Sequence, residues 1–479
     1  MSKIVDTLLN VCNLQSDKTA IIYAERKTLI YKTFSQLKTD VMTTVSFMYK
    51  HNVKQGDKIL AFASSSYKLC VFMLSSLVLG TSIMYVDIFA KQKSLKKIFE
   101  DYTPDMILVS DKTKHLRFFF KEFAKIKNVI NIDSIKPDSM YKNNILNEPK
   151  EESLALLTMT TGSTGIPKVA LRTHGDLMQQ MELIKANTDL SKKNEIALTT
   201  SYIYVFANIL SGITTVLPCL NLKKTSKHIN KKLSLFSQIP ITMIITTPDF
   251  CLKANNVFPK LKKLYCGGAI LNLNEAKRIN SKFSYSENIV VYGSTECNIM
   301  CEIGLDEYIK LLYKTHSSPL GYKAKGVSIR LNDDGEIMVT SNALLEHYLK
   351  DDTSSKTKDE NGLIWHHTND IAVLKNEVFY FLGKNKYYII VDDKKIYSNE
   401  IEQKIISLIN SIPKCAVLQK NDTIYVFLEN HTKEVSAGVR DILLKTYNIT
   451  HPKIIPVKKI PCDVKHHTKI DYNKLKKGL

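Results

Sequence analysis

The sequence predicts an α/β fold: a large N-terminal domain of layered, mostly parallel sheets with helices, followed by a small C-terminal α+β module. Three observations carry this expectation. Short apolar strand signals alternate with helical periodicity through the first three-quarters of the chain, which is the spacing of strand–helix–strand units. A polar run, DDTSSKTKDENG at 351–362, then interrupts the alternation. Beyond about residue 385 the pattern changes to short strands, one clear helix and a lysine-rich tail, so we place the domains at 1–384 and 385–479.

The elements follow in order. Residues 71–79 have helical apolar periodicity, and Gly80 stops them, because glycine adopts the left-handed cap without a Cβ penalty. Residues 82–86 and 106–109 read as buried strands, with an amphipathic stretch at 95–100 between them. The same alternation returns at 243–246, 264–266 and 289–291. In the C-terminal part, 399–409 reads as a helix and 424–428 as a strand.

Composition narrows the class. The chain has 479 residues, 44% of them hydrophobic and 24% charged, enough for a sizeable core and too long for one simple domain. The formal net charge is +20, carried mostly by scattered lysines that lack the aromatic interleaving of a single-strand binder. No nucleic-acid partner is expected, although a diffuse positive field favours a polyanionic nucleotide. The nine cysteines show no C-x-x-C spacing, which fits a reducing compartment better than a disulfide framework. The first twenty residues have neither an apolar core nor a cleavage site, so a cytoplasmic protein is expected. The apolar run at 69–86 is broken by Ser75, Ser76 and Gly80, and it reads as a buried helix and strand rather than a membrane span.

The chemistry concentrates at LTMTTGSTGIPK, residues 157–168. Hydroxyls and glycines alternate directly after an apolar strand, and Lys168 closes the loop. Small residues let backbone N–H groups approach phosphate oxygens, hydroxyls add donors, and the lysine supplies charge. Ile166 and Pro167 separate the lysine from Gly165, so this is not the Walker pattern.

The run TTGSTGIPK resembles the signature loop of the adenylate-forming superfamily, which includes acyl-CoA synthetases, luciferases and peptide-synthetase adenylation domains. Other segments agree in order along nearly the whole chain. They are LIYKTF at 29–34, VKQGDK at 53–58, CGGA at 266–269, YGSTE at 292–296, GEI at 335–337, TND at 368–370, NEIE at 399–402 and the tail around Lys469. The resemblance implies an ATP-dependent enzyme that activates a carboxylic acid as its acyl-adenylate, with a mobile C-terminal lid. It also implies Mg²⁺, and an acceptor thiol on coenzyme A or on a phosphopantetheinyl carrier protein.

Roles are carried over position by position. Thr160, Thr161, Gly162, Ser163, Thr164, Gly165 and Lys168 correspond to the phosphate loop. Gly267, Gly268 and Ala269 correspond to the turn that lines the adenine and the substrate. Tyr292 offers an aromatic face to the purine, and Gly293 lets the base lie close. Ser294 and Thr295 follow, with Thr295 a donor to the α-phosphate. Glu296 supplies one hard oxygen ligand for Mg²⁺, which usually keeps most of its waters and bridges substrate phosphates. Asp370 corresponds to the ribose acceptor, with Lys384 where the family has a ribose-binding arginine. Lys386 falls on the hinge. Lys469 corresponds to the lysine that bridges carboxylate, α-phosphate and ribose, and a positioned cation there offsets the repulsion between two anions.

The chain also departs from the pattern. Lys384 keeps a charge but loses the planar fork of arginine. Val169 replaces a glycine, Asn369 replaces a glycine, Ile390 replaces a lysine, and Asp393 replaces a glycine. That last glycine lies on the loop that lines the pantetheine tunnel, so transfer to free coenzyme A is the step the departures affect. The ending PCDVKHHTKI at 461–470 and the stretch 204–218 resemble the β-lactone synthetases of olefin biosynthesis. Three functions are therefore weighed: an acid–thiol ligase, a β-lactone synthetase acting without thiol, and a non-catalytic nucleotide-binding relative. The presence of Lys168, Glu296, Asp370 and Lys469 argues against the third. The segment 202–208 is aromatic and apolar without fixed charge, which points to a fatty, aryl or other non-amino acid.

Overall fold

The computed structural model describes residues 1–86, 96, 99–115, 125–135, 148–160, 168–190, 194–255, 258–345, 347–349, 355–429, 432–463 and 469–479. The expected alternation is realised as two large sheets. Six strands, 128–131, 106–109, 58–62, 82–85, 154–160 and 168–173, form one sheet in that order. Its strands pair in parallel except at the last hairpin, where Leu154–Thr160 turns back on Lys168–Thr173.

The second sheet has 14 strands, and its two halves differ. Strands at 19–25, 214–217, 196–199, 243–246, 263–267 and 287–294 run parallel. From 287–294 onward every pairing is antiparallel, through 298–304, 318–323, 378–384, 364–375, 336–340 and 328–331. The expectation of mostly parallel sheets thus holds for the half with crossover helices; beyond it the pairs 287–294 with 298–304, 328–331 with 336–340 and 364–375 with 378–384 are hairpins, whose tight turns permit only antiparallel pairing.

Local signals explain most elements. The helix Tyr67–Leu79 opens on Ser66, whose side chain accepts from the Leu69 amide at 3.1 Å, and closes on Gly80 at φ +76°. All but one of its residues are buried, so the apolar run here is core. No helix among the described residues is long and apolar enough to cross a membrane. The strand at 106–109 lies where expected, and half of the amphipathic stretch at 95–100 falls outside the described residues. The polar run at 351–362, read as a loop, contains the strand Lys356–Lys358, which pairs with Ile364–Lys375 through backbone groups while its side chains stay largely exposed.

Residues beyond 385 build their own apolar cluster, centred on Ile389, Ile401, Ile405, Val417, Val426 and Leu443. It is formed by the helices Ser398–Leu408 and Lys433–Tyr447 against the strands 415–420, 423–429 and 453–457. This part rests on the larger one through the start of the helix Leu273–Lys282. Asn272 Nδ2 donates to the Pro413 carbonyl at 3.1 Å, and Asn274 Nδ2 to the carbonyls of Asn410 and Ile412 at 3.2 Å each.

Candidate active site

A cleft of about 2020 Å³ lies where the parallel half of the large sheet ends and the C-terminal part closes over it. Three walls bring the sequence-predicted residues together. Gly267, Gly268 and Ala269 lie at the end of the strand Lys263–Gly267 and just beyond it, and Tyr292 to Glu296 do the same at Glu287–Ser294. Lys168 begins the strand Lys168–Thr173, and Asp370 and Lys384 are cross-strand neighbours in the hairpin 364–384. Lys386 and the exposed Lys469 line the same cleft from the C-terminal side. Thr160 ends its strand opposite Lys168 in register, whereas Thr161, Gly162, Ser163, Thr164 and Gly165 lie outside the described residues.

The glycines of YGSTE and CGGA answer to the backbone. A Cβ on Gly293 would stand 1.7 Å from the Asn298 carbonyl oxygen, where the chain doubles back with a register shift after Tyr292. A Cβ on Gly267 would stand 2.8 Å from the Val291 carbonyl oxygen of the neighbouring strand. The tight return to Asn298 thus requires glycine at 293 on backbone grounds, whatever lies against it in the cleft. The departure at Asn369 has a matching account. Its φ is +58°, and asparagine is the residue that best tolerates the left-handed region after glycine.

Asp370 is held on both oxygens. Lys384 Nζ pairs with Oδ1, and the Tyr292 hydroxyl donates to Oδ2 at 2.8 Å. Burial, together with Asp370, raises the Tyr292 phenol well above its ordinary value, so it stays a donor at neutral pH.

Glu296 sits between opposing effects. Burial pushes its carboxyl up, but neighbouring His366, the Tyr348 hydroxyl and nearby backbone and Ser294 donors outweigh it and hold the group below the usual carboxylate range. The Tyr348 hydroxyl donates to Glu296 Oε1 at 2.9 Å, and Lys168 Nζ lies 5.5 Å from the centre of the Tyr348 ring. An ionised, hydrogen-bonded carboxylate with one oxygen so committed suits a hard cation that keeps most of its own waters. Among the described residues no group of three or more metal-ligating side chains exists, so a closed protein cage is not built here.

Lys469 is carried by an arm with its own anchors. Its carbonyl accepts from the Asp463 amide at 2.8 Å, and Ile470 bridges to Cys462. Three residues on, the Tyr472 hydroxyl reaches Glu402 Oε1 at 2.7 Å and Oε2 at 2.9 Å, and its ring packs on Tyr387 at 4.2 Å between centroids. Tyr387 follows Lys386, so the arm and the expected hinge are in direct contact. Burial, with Lys384 nearby, lowers the Lys386 ammonium from its ordinary value.

One aromatic wall extends beyond the nucleotide-like pocket. Tyr202, Ile203 and Tyr204 line the cleft with Thr246 and Tyr265, while Val205, Phe206 and Asn208 of the same helix are buried in the core instead. The expected pocket segment 202–208 is thereby shortened to its first turn. The Tyr202 hydroxyl is fixed by Ser65 Oγ at 3.0 Å and by the Ser66 backbone at 3.0 and 3.1 Å.

The chain matches the family model described as AMP-binding enzyme over residues 9–349. It belongs to the AMP-binding enzyme family. This AMP-binding enzyme is an ATP-dependent, AMP-forming ligase. It is similar to the D-alanine–D-alanyl carrier protein ligase of Staphylococcus epidermidis, at 23% identity over 83% of this chain and 82% of that protein. Its fold is that of o-succinylbenzoate CoA synthetase from Bacillus subtilis, with TM-score 0.79, 18% identity, and 98% and 97% of the two chains covered. It is also that of the amide bond synthetase McbA from Marinactinospora thermotolerans, with TM-score 0.82, 13% identity and 99% of both chains covered.

Sequence reasoning did not find Arg172, Tyr348, His366, Glu402 or Tyr472. Glu402 falls within a quoted motif, yet only its burial and its partner distinguish it there. Tyr472 falls within the matched tail around Lys469, while Arg172, Tyr348 and His366 stand outside any motif.

Proposed function

We propose that this AMP-binding enzyme activates a carboxylic acid without an ammonium group as acyl-AMP and passes the acyl group to a thiol. The observation that supports it best is the meeting of Lys469 with Lys168, Glu296 and Asp370 around one cleft, although 301 residues separate the first two in sequence. In this reading the domains divide at 384/385, and the smaller one turns about Lys386.

The roles follow from chemistry. The loop from Thr160 to Gly165, with Lys168, holds the phosphates of ATP. Gly267, Gly268, Ala269 and Tyr292 to Ser294 face the adenosine, and Asp370 with Lys384 meets the ribose hydroxyls. The acid's carboxylate oxygen attacks the α-phosphorus, and pyrophosphate leaves with its bonding electron pair. Thr295 and Lys469 face the oxygens on which charge accumulates, where fixed donors act most strongly. Glu296 would hold Mg²⁺, which when bound screens the phosphate charge. In the second step a thiol loses its proton and its sulfur attacks the acyl carbon, forming a thioester and releasing AMP.

The neutral wall of Tyr202, Ile203, Tyr204, Thr246 and Tyr265 favours a fatty or aryl acid over an amino acid, because an ammonium brought there would lack a carboxylate partner. Carrier-protein loading, the activity named for the staphylococcal relatives, and transfer to free coenzyme A both bring a pantetheine arm past Asp393, whose side chain stands where the family has glycine, so the residue bears on either acceptor.

Pyrophosphate release from Mg-ATP tests this with octanoate, benzoate, 3-hydroxyoctanoate and D-alanine. Each acid is assayed alone, with coenzyme A, and with a phosphopantetheinylated carrier protein. Turnover of octanoate or benzoate with a thiol acceptor is expected. Sustained thiol-free turnover of 3-hydroxyoctanoate alone would mark the β-lactone reaction instead. Turnover confined to D-alanine would overturn the non-amino-acid reading, and tight ATP binding without turnover of any acid would leave a nucleotide-binding relative.

A further inference from the structure

Arg172 is the fifth residue of the strand Lys168–Thr173, and only 3% of it is exposed. All three guanidinium nitrogens are engaged. Nε donates to Gln180 Oε1 at 2.7 Å, Nη1 to Thr158 Oγ1 at 2.6 Å, and Nη2 to the Thr295 carbonyl at 2.7 Å. Gln180 in turn donates to the Ala343 carbonyl at 3.3 Å.

Every one of these acceptors is neutral. Among the described residues, no carboxylate stands within ion-pair distance of Arg172. Burying an ion costs several kcal/mol, which the three hydrogen bonds and the more distant charges of Glu296 and Asp176 offset in part. Packing does not by itself call for an arginine at this place. Burial lowers the guanidinium to about 10 against the opposing charges of Glu296 and Asp176, which leaves it charged at neutral pH.

The geometry supplies the reason. The planar fork joins segments that meet nowhere else in sequence: the strand Leu154–Thr160, which leads into the phosphate loop, and the turn at Thr295, 123 residues on from Arg172. Lysine could reach one acceptor but not three in fixed directions.

We propose that Arg172 is a positioning residue that locks the Thr295–Glu296 turn against the strand entering the phosphate loop, so that the two sides of the reacting phosphate keep one spacing. This rests on the roles assigned above to Thr295, Glu296 and the phosphate loop. A misplacement of about 1 Å at such a site can cost about 10²-fold in rate.

The experiment compares the full chain with its Arg172→Lys, Arg172→Ala and Thr158→Val variants. Hydrogen–deuterium exchange over 293–298 is read together with kcat and the ATP KM, using the best of octanoate, benzoate and D-alanine. Arg172→Lys is expected to exchange faster at 293–298 with little change in melting temperature. Its kcat should fall about 10²-fold, while the ATP KM moves by less than about threefold. Low guanidinium chloride should restore kcat about tenfold in Arg172→Ala and in no other variant, since a free guanidinium can reoccupy the fork. Thr158→Val, which leaves the Thr295 bond in place, should show a smaller version of the same loss. Unchanged exchange at 293–298 in Arg172→Lys would overturn the proposal even with an enzyme inert toward all three acids. A loss of kcat that tracks melting temperature, without guanidinium rescue, would overturn it as well. Should Arg172→Ala fail to fold, the lysine and Thr158→Val variants decide alone.

Discussion

The Tyr292 hydroxyl donates to Asp370 Oδ2 at 2.8 Å while Lys384 pairs with the other oxygen, so each oxygen of the carboxylate assigned to the ribose already holds one protein donor. A ribose hydroxyl must share these oxygens or displace Tyr292. Each carboxylate oxygen has two acceptor sites, which makes sharing feasible.

Sharing predicts unequal effects for the two partners. Asp370→Ala removes the acceptor of the ribose and leaves Lys384 without its ion pair. A charged hydrogen bond of this kind contributes about 1.5–3 kcal/mol, so the ATP KM should rise at least about tenfold. Tyr292→Phe keeps the aromatic face and should change the ATP KM by less than about threefold. Steady-state kinetics with varied ATP checks both, and equal losses would mean that the tyrosine hydroxyl itself contacts the nucleotide.

Asp392 and Asp393 form the two-residue turn between the strands 388–391 and 394–397, at φ +47° and +59°. Such turns favour glycine, yet glycine also loses more chain entropy on folding. The left-handed penalty relieved by Asp393→Gly, about 1–2 kcal/mol for an ordinary residue and smaller for aspartate, is offset by the entropy it adds, about 0.4–1 kcal/mol. Denaturant unfolding should therefore show a change within about 0.5 kcal/mol. Any gain in thioester formation by this variant then reports on the acceptor path and not on folding, and the absence of a gain removes Asp393 as the obstacle to coenzyme A.

Burial raises the Glu402 carboxyl to about 8, against donors from the Val417 amide and Tyr472 and the charge of Lys414. A carboxyl raised in the folded state binds a proton that the unfolded chain has released. Its stabilisation is full below the unfolded value near 4.5 and is lost as pH rises through about 8. Unfolding free energy should thus fall between pH 5 and pH 8.5 more steeply in the wild type than in Glu402→Gln. The difference is on the order of a few kcal/mol before relaxation. Parallel curves for the two proteins would show that Glu402 titrates normally.

What the sequence disclosed, and what it did not, divides along chain distance. Gly80 after an apolar helix, the strand at 106–109, and the motifs holding Lys168, Tyr292, Glu296 and Asp370 are local patterns that chemistry or resemblance can read. The antiparallel half of the large sheet escaped because hairpin partners there carry no strict alternation, and Lys356–Lys358 looks like loop because its stability comes from backbone pairing. Arg172, Tyr348 and Tyr472 escaped for another reason. Their partners Thr295, Glu296 and Glu402 lie 123, 52 and 70 residues away, and a lone arginine or tyrosine gives no sign of which distant group it will hold. Gly293 was legible as a motif residue, but its backbone reason was not, since only the fold brings Asn298 against it.

The central claim is that this cleft joins an acid to AMP with Lys469 stabilising the charge that develops. Its most direct test is pyrophosphate release by Lys469→Ala beside the wild type, with Mg-ATP and the best acid of the panel, and with ATP binding measured on both proteins. A loss of at least about 10²–10³-fold in rate with ATP affinity retained is the predicted result. A rate within threefold of the wild type would contradict the assignment.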